Sequence, residues 1–397
     1  MLDLIPANNA RQVQFSRWMV LFLYGVMALS GSANAQENPI NAPPPQADAA
    51  KKAVENPLLK LVIPAYVKPG MRFVFNGSSV SMKGTGEGPM RYDVVAVTDS
   101  RVLMNSVNYV KYGFDGKIGV SSSAGVDVRS GVPGTNSIGS IWVSKEALAA
   151  MAADNTMTVA YEKWPINGRS YDAVILVKQI QDSAQRTIYD RETGLLLGMQ
   201  LATGKMRQDN DLNIFNRENS SILSYQTARQ LDLPWFKADA PKWTKTVKRM
   251  KYQGQSRLSG GGVAQDIVTA QSKTAEITDR GDDWAIIKST SESQGVTIAK
   301  DTLSNGPATI GGYWINPDAL NKMKQGVVDE DPTLHSVLTF QIQEGAVGKL
   351  GVLVETNADR SYQLVWGYSL DDGALMYSMV QDSSMQTTTE FKLVGRE

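Results

Sequence analysis

The residues that most often carry acid–base, nucleophilic and metal chemistry are scarce in this sequence. Its 397 residues contain one histidine, His335, and no cysteine. A Ser-His-Asp triad would have to use His335, but the Gly-x-Ser-x-Gly turn that presents the serine in α/β-hydrolases does not occur. A zinc site made of several imidazoles or of thiolates is excluded. His335 is therefore interpreted as a structural residue at the start of a strand.

Carboxylates are plentiful, and they are the remaining source of chemistry. Two of them could hydrolyse a glycosidic bond, but among 40 acidic residues no pair stands out. Residues 209–213 begin like an EF-hand loop, yet Ile214 replaces the turn glycine and Ser220 the bidentate glutamate. Asp329-Glu330-Asp331, interpreted as a loop before Pro332, is a better candidate for a hard cation, with a solvated loop as the alternative. We predict no metal, no cofactor and no enzymatic activity.

The N-terminal 35 residues have the features of an export signal. Arg11 and Arg17 precede an apolar stretch, residues 18–29, and the segment ends in Ala33-Asn34-Ala35. The apolar run of about 12 residues is short for a membrane span, which needs about 20. We expect cleavage before Gln36 and a soluble periplasmic protein, with an uncleaved anchor as the alternative.

The charge balance argues against nucleic acid as a partner. Removing Arg11, Arg17 and Asp3 with the signal from 40 basic and 40 acidic residues leaves 38 and 39. Nucleic-acid binding needs a basic surface that matches the phosphates, and a neutral chain does not predict one. Residues 36–57, rich in proline, alanine and charge, are predicted to be a flexible tether.

The rest of the chain can be aligned with itself. Four blocks recur in the same order at offsets of 172 to 180 residues. Such spacing predicts a duplicated domain, with copies at residues 58–230 and 231–397. The drift in offset assigns extra loop residues to 116–136 in the first copy and 325–334 in the second. The matching pairs are Met71-Arg72-Phe73 with Met250-Lys251-Tyr252, Val97-Thr98-Asp99 with Ile277-Thr278-Asp279, residues 137–148 with 309–320, and residues 189–196 with 368–375.

Each copy is predicted to be mainly antiparallel β. Runs rich in Val, Ile, Leu and Tyr are closed by Asp and Gly, as at Asp190 and the turn 191–194 that ends in Gly194, and at the turn 371–373. One short helix per copy is expected, capped by Ser144 up to about Ala152, and by Asn316 from Pro317 to about Lys324. The predicted fold is two duplicated curved-sheet or half-barrel domains, each with a short helix.

The turn Tyr189-Asp190-x-x-Thr193-Gly194-Leu195-Leu196 and the strand-rich pattern resemble exported bacterial β-domains related to the lipoprotein carrier (Lol) family. The resemblance implies an open barrel that holds acyl chains. The second copy departs from this turn at Ser369 and Asp372, and the carrier family has one such domain where this chain has two. No functional residue is carried over from it.

Aromatic and basic residues provide the candidate contact sites. Trp142, Trp314 and Trp243 are candidate ligand-binding residues, although each also fits a β core. Basic side chains surround Trp243 and could meet an anionic head group, or could protect an edge strand. They are Lys242, Lys245, Lys248, Arg249 and Lys251.

The predicted function is therefore that of an exported envelope protein without catalysis. It would bind a lipid or another amphiphile in concave β-sheets and make peripheral contact with the membrane. The first alternative is a structural or adaptor subunit that binds an envelope protein. The second is a carboxylate-based hydrolase.

Overall fold

The computed structural model describes most of the chain beyond the tether. The predicted export signal, the tether and residues 209–213 lie outside the described residues. The described ranges are 63–81, 84–99, 101–112, 118–129, 141–151, 157–180, 183–203, 220–259, 266–345, 348–383 and 386–397.

Nine strands form a first antiparallel sheet. Their hydrogen-bonded order is β4-β3-β2-β1-β9-β8-β7-β6-β5. The prediction of antiparallel strands from runs rich in Val, Ile, Leu and Tyr is thus confirmed for this half of the chain. The bounds are β1 Met71–Ser81, β2 Gly84–Val97, β3 Arg101–Tyr112, β4 Ile118–Arg129, β5 Met157–Ile166, β6 Arg169–Ile180, β7 Ser183–Asp190, β8 Leu196–Thr203 and β9 Ser220–Gln230.

Ten strands form a second antiparallel sheet. Their order is β13-β12-β11-β10-β19-β18-β17-β16-β15-β14, which follows the chain as the first sheet does and adds β14 at one edge. The bounds are β10 Arg249–Leu258, β11 Ile267–Arg280, β12 Ala285–Ser293, β13 Val296–Asn305, β14 Gly326–Asp331, β15 Ser336–Gly345, β16 Gly348–Asn357, β17 Tyr362–Ser369, β18 Leu375–Asp382 and β19 Thr387–Arg396.

Helices are short, as the sequence predicts. Helix α1 (Lys145–Ala150) begins after Ser144, whose hydroxyl accepts a hydrogen bond from the Ala147 amide. Helix α2 (Pro317–Lys322) begins after Asn316, which caps Ala319 in the same way. A 3-10 helix spans Lys242–Lys245. None of the helices in the described ranges is long and apolar enough to cross a membrane.

The segment before each helix is held by the turn of the meander that follows it. Trp142 forms a β-bridge with Leu195, and Trp314 forms one with Ala374. The Val143 amide donates to the Gly194 carbonyl over 2.9 Å, and the Ile315 amide donates to the Gly373 carbonyl over 2.9 Å. Two blocks that recur in the sequence are therefore in direct contact within each sheet.

The contacts between residues divide the chain into two compact units. One unit holds α1 and β5–β8, within residues 129–222. Its core includes Leu148, Val174, Leu176 and Tyr189, all nearly inaccessible to solvent.

The other unit comprises residues 65–128 and 223–397. It combines β1–β4 with nearly all of β9 and the whole second sheet. Its largest core cluster includes Met250, Tyr252, Ile287, Phe340 and Leu353, all from the second sheet.

Residues 325–334 were predicted to be a loop, and that prediction is wrong in its first half. Residues 326–331 form β14, paired with β15 from Gly326 opposite Phe340 to Asp331 opposite Ser336. The run of three acidic side chains disfavoured a strand. However, β14 is an edge strand, and an edge strand tolerates charged side chains because no further strand pairs with its outer side. The first-copy segment, residues 116–136, is described only at 118–129, which form β4.

Candidate functional site

Two of the tryptophans predicted to bind ligand belong to cores. Trp142 is 2% exposed and lies in the unit of α1 and β5–β8. Trp314 is 4% exposed and lies in the core of the second sheet. Large rings at such positions contribute mainly buried apolar area. Ligand contact by these two residues remains a prediction.

Trp243 lies beside Trp314, so the structure brings two of the three predicted tryptophans together. The two rings meet edge to face with centroids 5.8 Å apart. The Trp243 indole N–H donates to the Asp372 carbonyl over 2.8 Å, and the Arg396 guanidinium lies 4.9 Å from the ring centroid. Trp243 is therefore held on three sides by its own unit.

The predicted basic contact residues divide into two groups. Lys242, Lys245 and Lys248 are exposed, and none of them forms an ion pair within the described part of the chain. Lys251 pairs with Glu397, and Arg249 lies 3.7 Å from Glu397. The charge available to an outside partner is thus that of the three lysines.

The second sheet has an inner face, which we define as the face that carries Met250 and Tyr252. Side chains alternate between the two faces of a strand, so the register assigns Ile267 and Lys273 of β11 to this face and Val268 to the outer face. Over β16 and β17 the inner face is covered by strands of the first sheet. Val74 and Val107 pack there against Tyr362 and Leu364.

Toward the end of β10 that lies away from Met250, the inner face of β10, β11 and β18 carries apolar side chains that are accessible to solvent. Ile267 is 50% exposed, Val380 is 40% exposed, and Leu258 opposite Ile267 is half-buried. These three residues are called the apolar end below; on the same face Thr387 and Thr389 of β19 lie between Leu258 and Val380. Exposed apolar side chains on a face that otherwise packs a core favour contact with an apolar group.

Between the apolar end and the core lie four polar side chains, called the polar cluster below. Lys273 and Asp301 are half-buried, and Ser289 and Ser291 are 5% and 8% exposed. In the register, Lys273 lies opposite Ser291 and Asp301 opposite Ser289, so all four share the inner face. No side-chain hydrogen bond joins any of them to another group in the described residues.

The two charged members of the polar cluster are held apart. The Lys273 ammonium lies 5.4 Å from the centroid of the Tyr313 ring and 5.7 Å from that of Phe391, so it leans away from β13 and Asp301. Burial raises the pKa of the Asp301 carboxyl above its ordinary value, and the positive charge of Lys273 opposes this shift. The cluster therefore offers one cation, one carboxyl group and two hydroxyls.

A second polar group is fully buried, and its charges are paired. The Arg91 guanidinium donates to both carboxylate oxygens of Glu355 over 2.7 and 2.9 Å. The Tyr109 hydroxyl donates to Glu355 over 2.6 Å. Burial raises the pKa of Tyr109 well above its ordinary value, so this hydroxyl keeps its proton. The three side chains link β2 and β3 to β16.

Arg72 continues this network toward β14. It donates to Asp93 over 2.6 and 3.1 Å and to Asp331 over 2.9 Å. Arg229 of β9 holds Asp329 through two hydrogen bonds and reaches Asp331 over 3.1 Å. Two members of the acidic run that was a candidate for a hard cation, Asp329 and Asp331, are therefore paired with guanidinium groups. No group of three or more metal-binding side chains is found in the described ranges.

Acid is expected to weaken this unit. Burial alone would raise the pKa of Asp93 and of Asp331, but Arg72, assisted at Asp93 by Arg91 and at Asp331 by Arg229, lowers both below their ordinary value. Below about pH 4 the unfolded chain takes up protons that the folded carboxylates resist, so the free energy of unfolding falls as the pH falls. Urea unfolding between pH 7 and pH 3 measures this loss.

The variant Asp331→Asn is the control for that titration. It should be less stable than the parent at pH 7, because Arg72 and Arg229 lose a charged partner. It should also lose less stability on acidification, because one of the titrating groups is gone. Equal acid-dependent losses in the two proteins would exclude Asp331 as a contributor.

The sequence predictions missed both polar groups. Arg72 was visible in the repeated Met-Arg-Phe block, where a charged residue stands inside an apolar strand and so requires a buried partner. For Lys273, Ser289, Ser291 and Asp301 no such pattern exists, because they lie on three strands that mix polar and apolar residues. Only the register places them side by side.

No protein-family model matches the chain, and no curated protein matches it. Among solved structures, MucB in complex with periplasmic MucA is similar with 10% identity and a TM-score of 0.22, covering 82% of this chain and 89% of that chain. The Pseudomonas aeruginosa MucA/MucB complex has a TM-score of 0.23 with the same identity and coverage. A DUF3598-family protein from Nostoc punctiforme has 12% identity and a TM-score of 0.16, covering 81% and 95%.

Proposed function

We propose that the protein is a non-catalytic, exported binding protein that holds an amphiphilic ligand on the inner face of its second sheet. The observation that carries the proposal is the division of that face. Ile267 and Val380 offer exposed apolar surface, and the polar cluster beyond them offers unpaired polar groups. A ligand with an apolar and a polar part would satisfy both.

The dimensions of the face fit an acyl chain. Ile267 and Lys273 are six positions apart on β11, and a strand rises about 3.4 Å per residue. The apolar end and the polar cluster are therefore separated by about 20 Å, the length of a long acyl chain. A head group at Lys273 would leave the tail lying along β11, past the inner-face side chains of Gln271 and Thr269, with its end at Ile267.

The predicted export and the basic segment agree with this proposal. A ligand of this class is found in the cell envelope, where the predicted signal in residues 1–35 would deliver the protein. Lys242, Lys245 and Lys248 would face an anionic head-group surface while the ligand is exchanged. The equal strand order of the two sheets supports an origin of both by duplication.

The test is to identify what accompanies the protein. The full chain would be purified from the periplasm under mild conditions and examined by native mass spectrometry and organic extraction. We expect one amphiphile per chain. A bare chain, or one that carries only a partner polypeptide, would contradict the proposal and favour an adaptor.

Two neighbouring substitutions locate the ligand. Ile267→Glu places a charge on the inner face and is expected to abolish copurification. Val268→Glu places the same charge on the outer face at a position of matched exposure, 51% against 50%, and should retain the ligand. Equal loss or equal retention in the two variants would contradict binding on the inner face.

A further inference from the structure

The polar cluster has a charge pattern that restricts the chemistry of its ligand. Lys273 and Asp301 carry opposite charges on one face, yet they form no ion pair with each other or with any other described residue. Holding a half-buried carboxylate without a partner costs free energy, whereas the Lys273 ammonium is attracted by the Tyr313 and Phe391 rings. Here the two charged groups remain separate.

The strand order explains the separation. Lys273 lies on β11 and Asp301 on β13, with β12 between them and an offset of two residues along the strands, so their backbones are about 12 Å apart. The Tyr313 and Phe391 rings attract the ammonium to the side away from β13. Ser289 and Ser291 occupy the intervening strand and add two hydroxyls between the charges.

We propose that the polar cluster binds a zwitterionic head group, with the anionic part at Lys273 and an ammonium at Asp301. This inference rests on the proposed function, since it assumes that the inner face holds an amphiphile. A purely anionic head group would be repelled by Asp301, and a purely cationic one by Lys273. An uncharged head group would leave both charges without a partner after the ligand had excluded water.

The two serines complete the recognition. A phosphate has more acceptor oxygens than one ammonium can satisfy, and the Ser291 hydroxyl lies on the strand next to Lys273. A primary ammonium has three donors, and the Asp301 carboxyl together with the Ser289 hydroxyl supplies acceptors for them. The chemistry is that of a phosphoethanolamine group.

The experiment compares lysophospholipids that share one acyl chain and differ in head group. Lysophosphatidylethanolamine is zwitterionic, lysophosphatidylglycerol is anionic, and a monoacylglycerol is uncharged. Titration calorimetry below the micelle concentration would be run on the delipidated full chain and on Lys273→Met, Asp301→Asn and Lys288→Met. Lys288 is exposed on the outer face of β12 and serves as the matched control.

We expect the parent protein and Lys288→Met to prefer the zwitterionic lipid by about tenfold or more, the usual effect of a charged hydrogen bond. Lys273→Met should weaken both phosphate lipids about tenfold, while Asp301→Asn should weaken only the zwitterionic one. Free phosphoethanolamine should bind far more weakly than the lipid, which identifies a membrane lipid as the source of the group.

One result would overturn the zwitterion site, and a different result would overturn the proposed function. Equal affinity for all three head groups, unchanged in Lys273→Met and Asp301→Asn, would overturn the zwitterion site and leave amphiphile binding intact. No measurable binding of any lysolipid to the parent protein would instead overturn the proposed function itself.

Discussion

Replacing Glu355 by leucine is expected to lower the free energy of unfolding by about 3–5 kcal/mol, the usual cost of breaking a buried ion pair from one side. Arg91 is 2% exposed, and it would keep its charge without the carboxylate that now accepts two of its hydrogen bonds. The Tyr109 hydroxyl would lose its acceptor as well. Urea unfolding followed by tryptophan fluorescence measures the change.

Two further variants show whether the loss comes from the carboxylate missing at Arg91, whose other ion pair is with Asp93 over 3.0 Å. The double variant Arg91→Met with Glu355→Leu removes both charges and should recover most of the stability. Glu344→Gln breaks the exposed pair with Lys349 in the same sheet and is expected to leave the free energy of unfolding nearly unchanged. A Glu355→Leu protein as stable as Glu344→Gln would refute the role assigned to the buried pair.

The second large effect is expected at Gly373. Its φ of +74° is unfavourable for any residue with a Cβ, and an added Cβ would overlap the carbonyl oxygen of Ile315. Gly373→Ala should therefore cost about 3 kcal/mol or more, because either the turn or the bridge between Trp314 and Ala374 must move. Thermal or urea unfolding of the variant provides the measurement.

Gly295→Ala distinguishes the cost of the positive φ from the cost of the overlap with the Ile315 carbonyl oxygen. Gly295 has nearly the same φ, +76°, but an added Cβ would meet nothing within 4 Å. Its replacement should cost only the free energy of placing a residue with a Cβ at a positive φ, about 1 kcal/mol. If both alanine variants are equally destabilised, the contact between the turn and the segment before α2 does not restrict the Gly373 position.

The features that could be predicted from the sequence are those that depend on residues close together along the chain. The cap at Asn316 and the proline after it predicted α2 to within two residues at its C-terminal end. The turn glycines Gly194 and Gly373 were found because Asp and Gly cluster between apolar runs. Each of these features depends on neighbours within a few positions along the chain.

The parts that could not be predicted depend on contacts between distant strands. One example is the contact of β1–β3 with the second sheet, where Arg72 and Arg91 pair with Asp331 and Glu355. Nothing within either strand specifies such a partner. The polar cluster is likewise a product of register, since one residue of shift would move Lys273 to the other face.

The buried network also sets the order in which the chain can fold. Arg91 and its partner Glu355 are 264 positions apart, and Arg72 and Asp331 are 259 apart. The hairpins of the second sheet join neighbouring segments and can form early, whereas closing loops of this length is slow. Strands β1–β3 emerge first during synthesis, and Arg72 and Arg91 can pair there with Asp93 of β2. Their partners Asp331 and Glu355 are made only with the C-terminal half. The contacts that join the N-terminal strands to the second sheet are therefore expected to form late in folding.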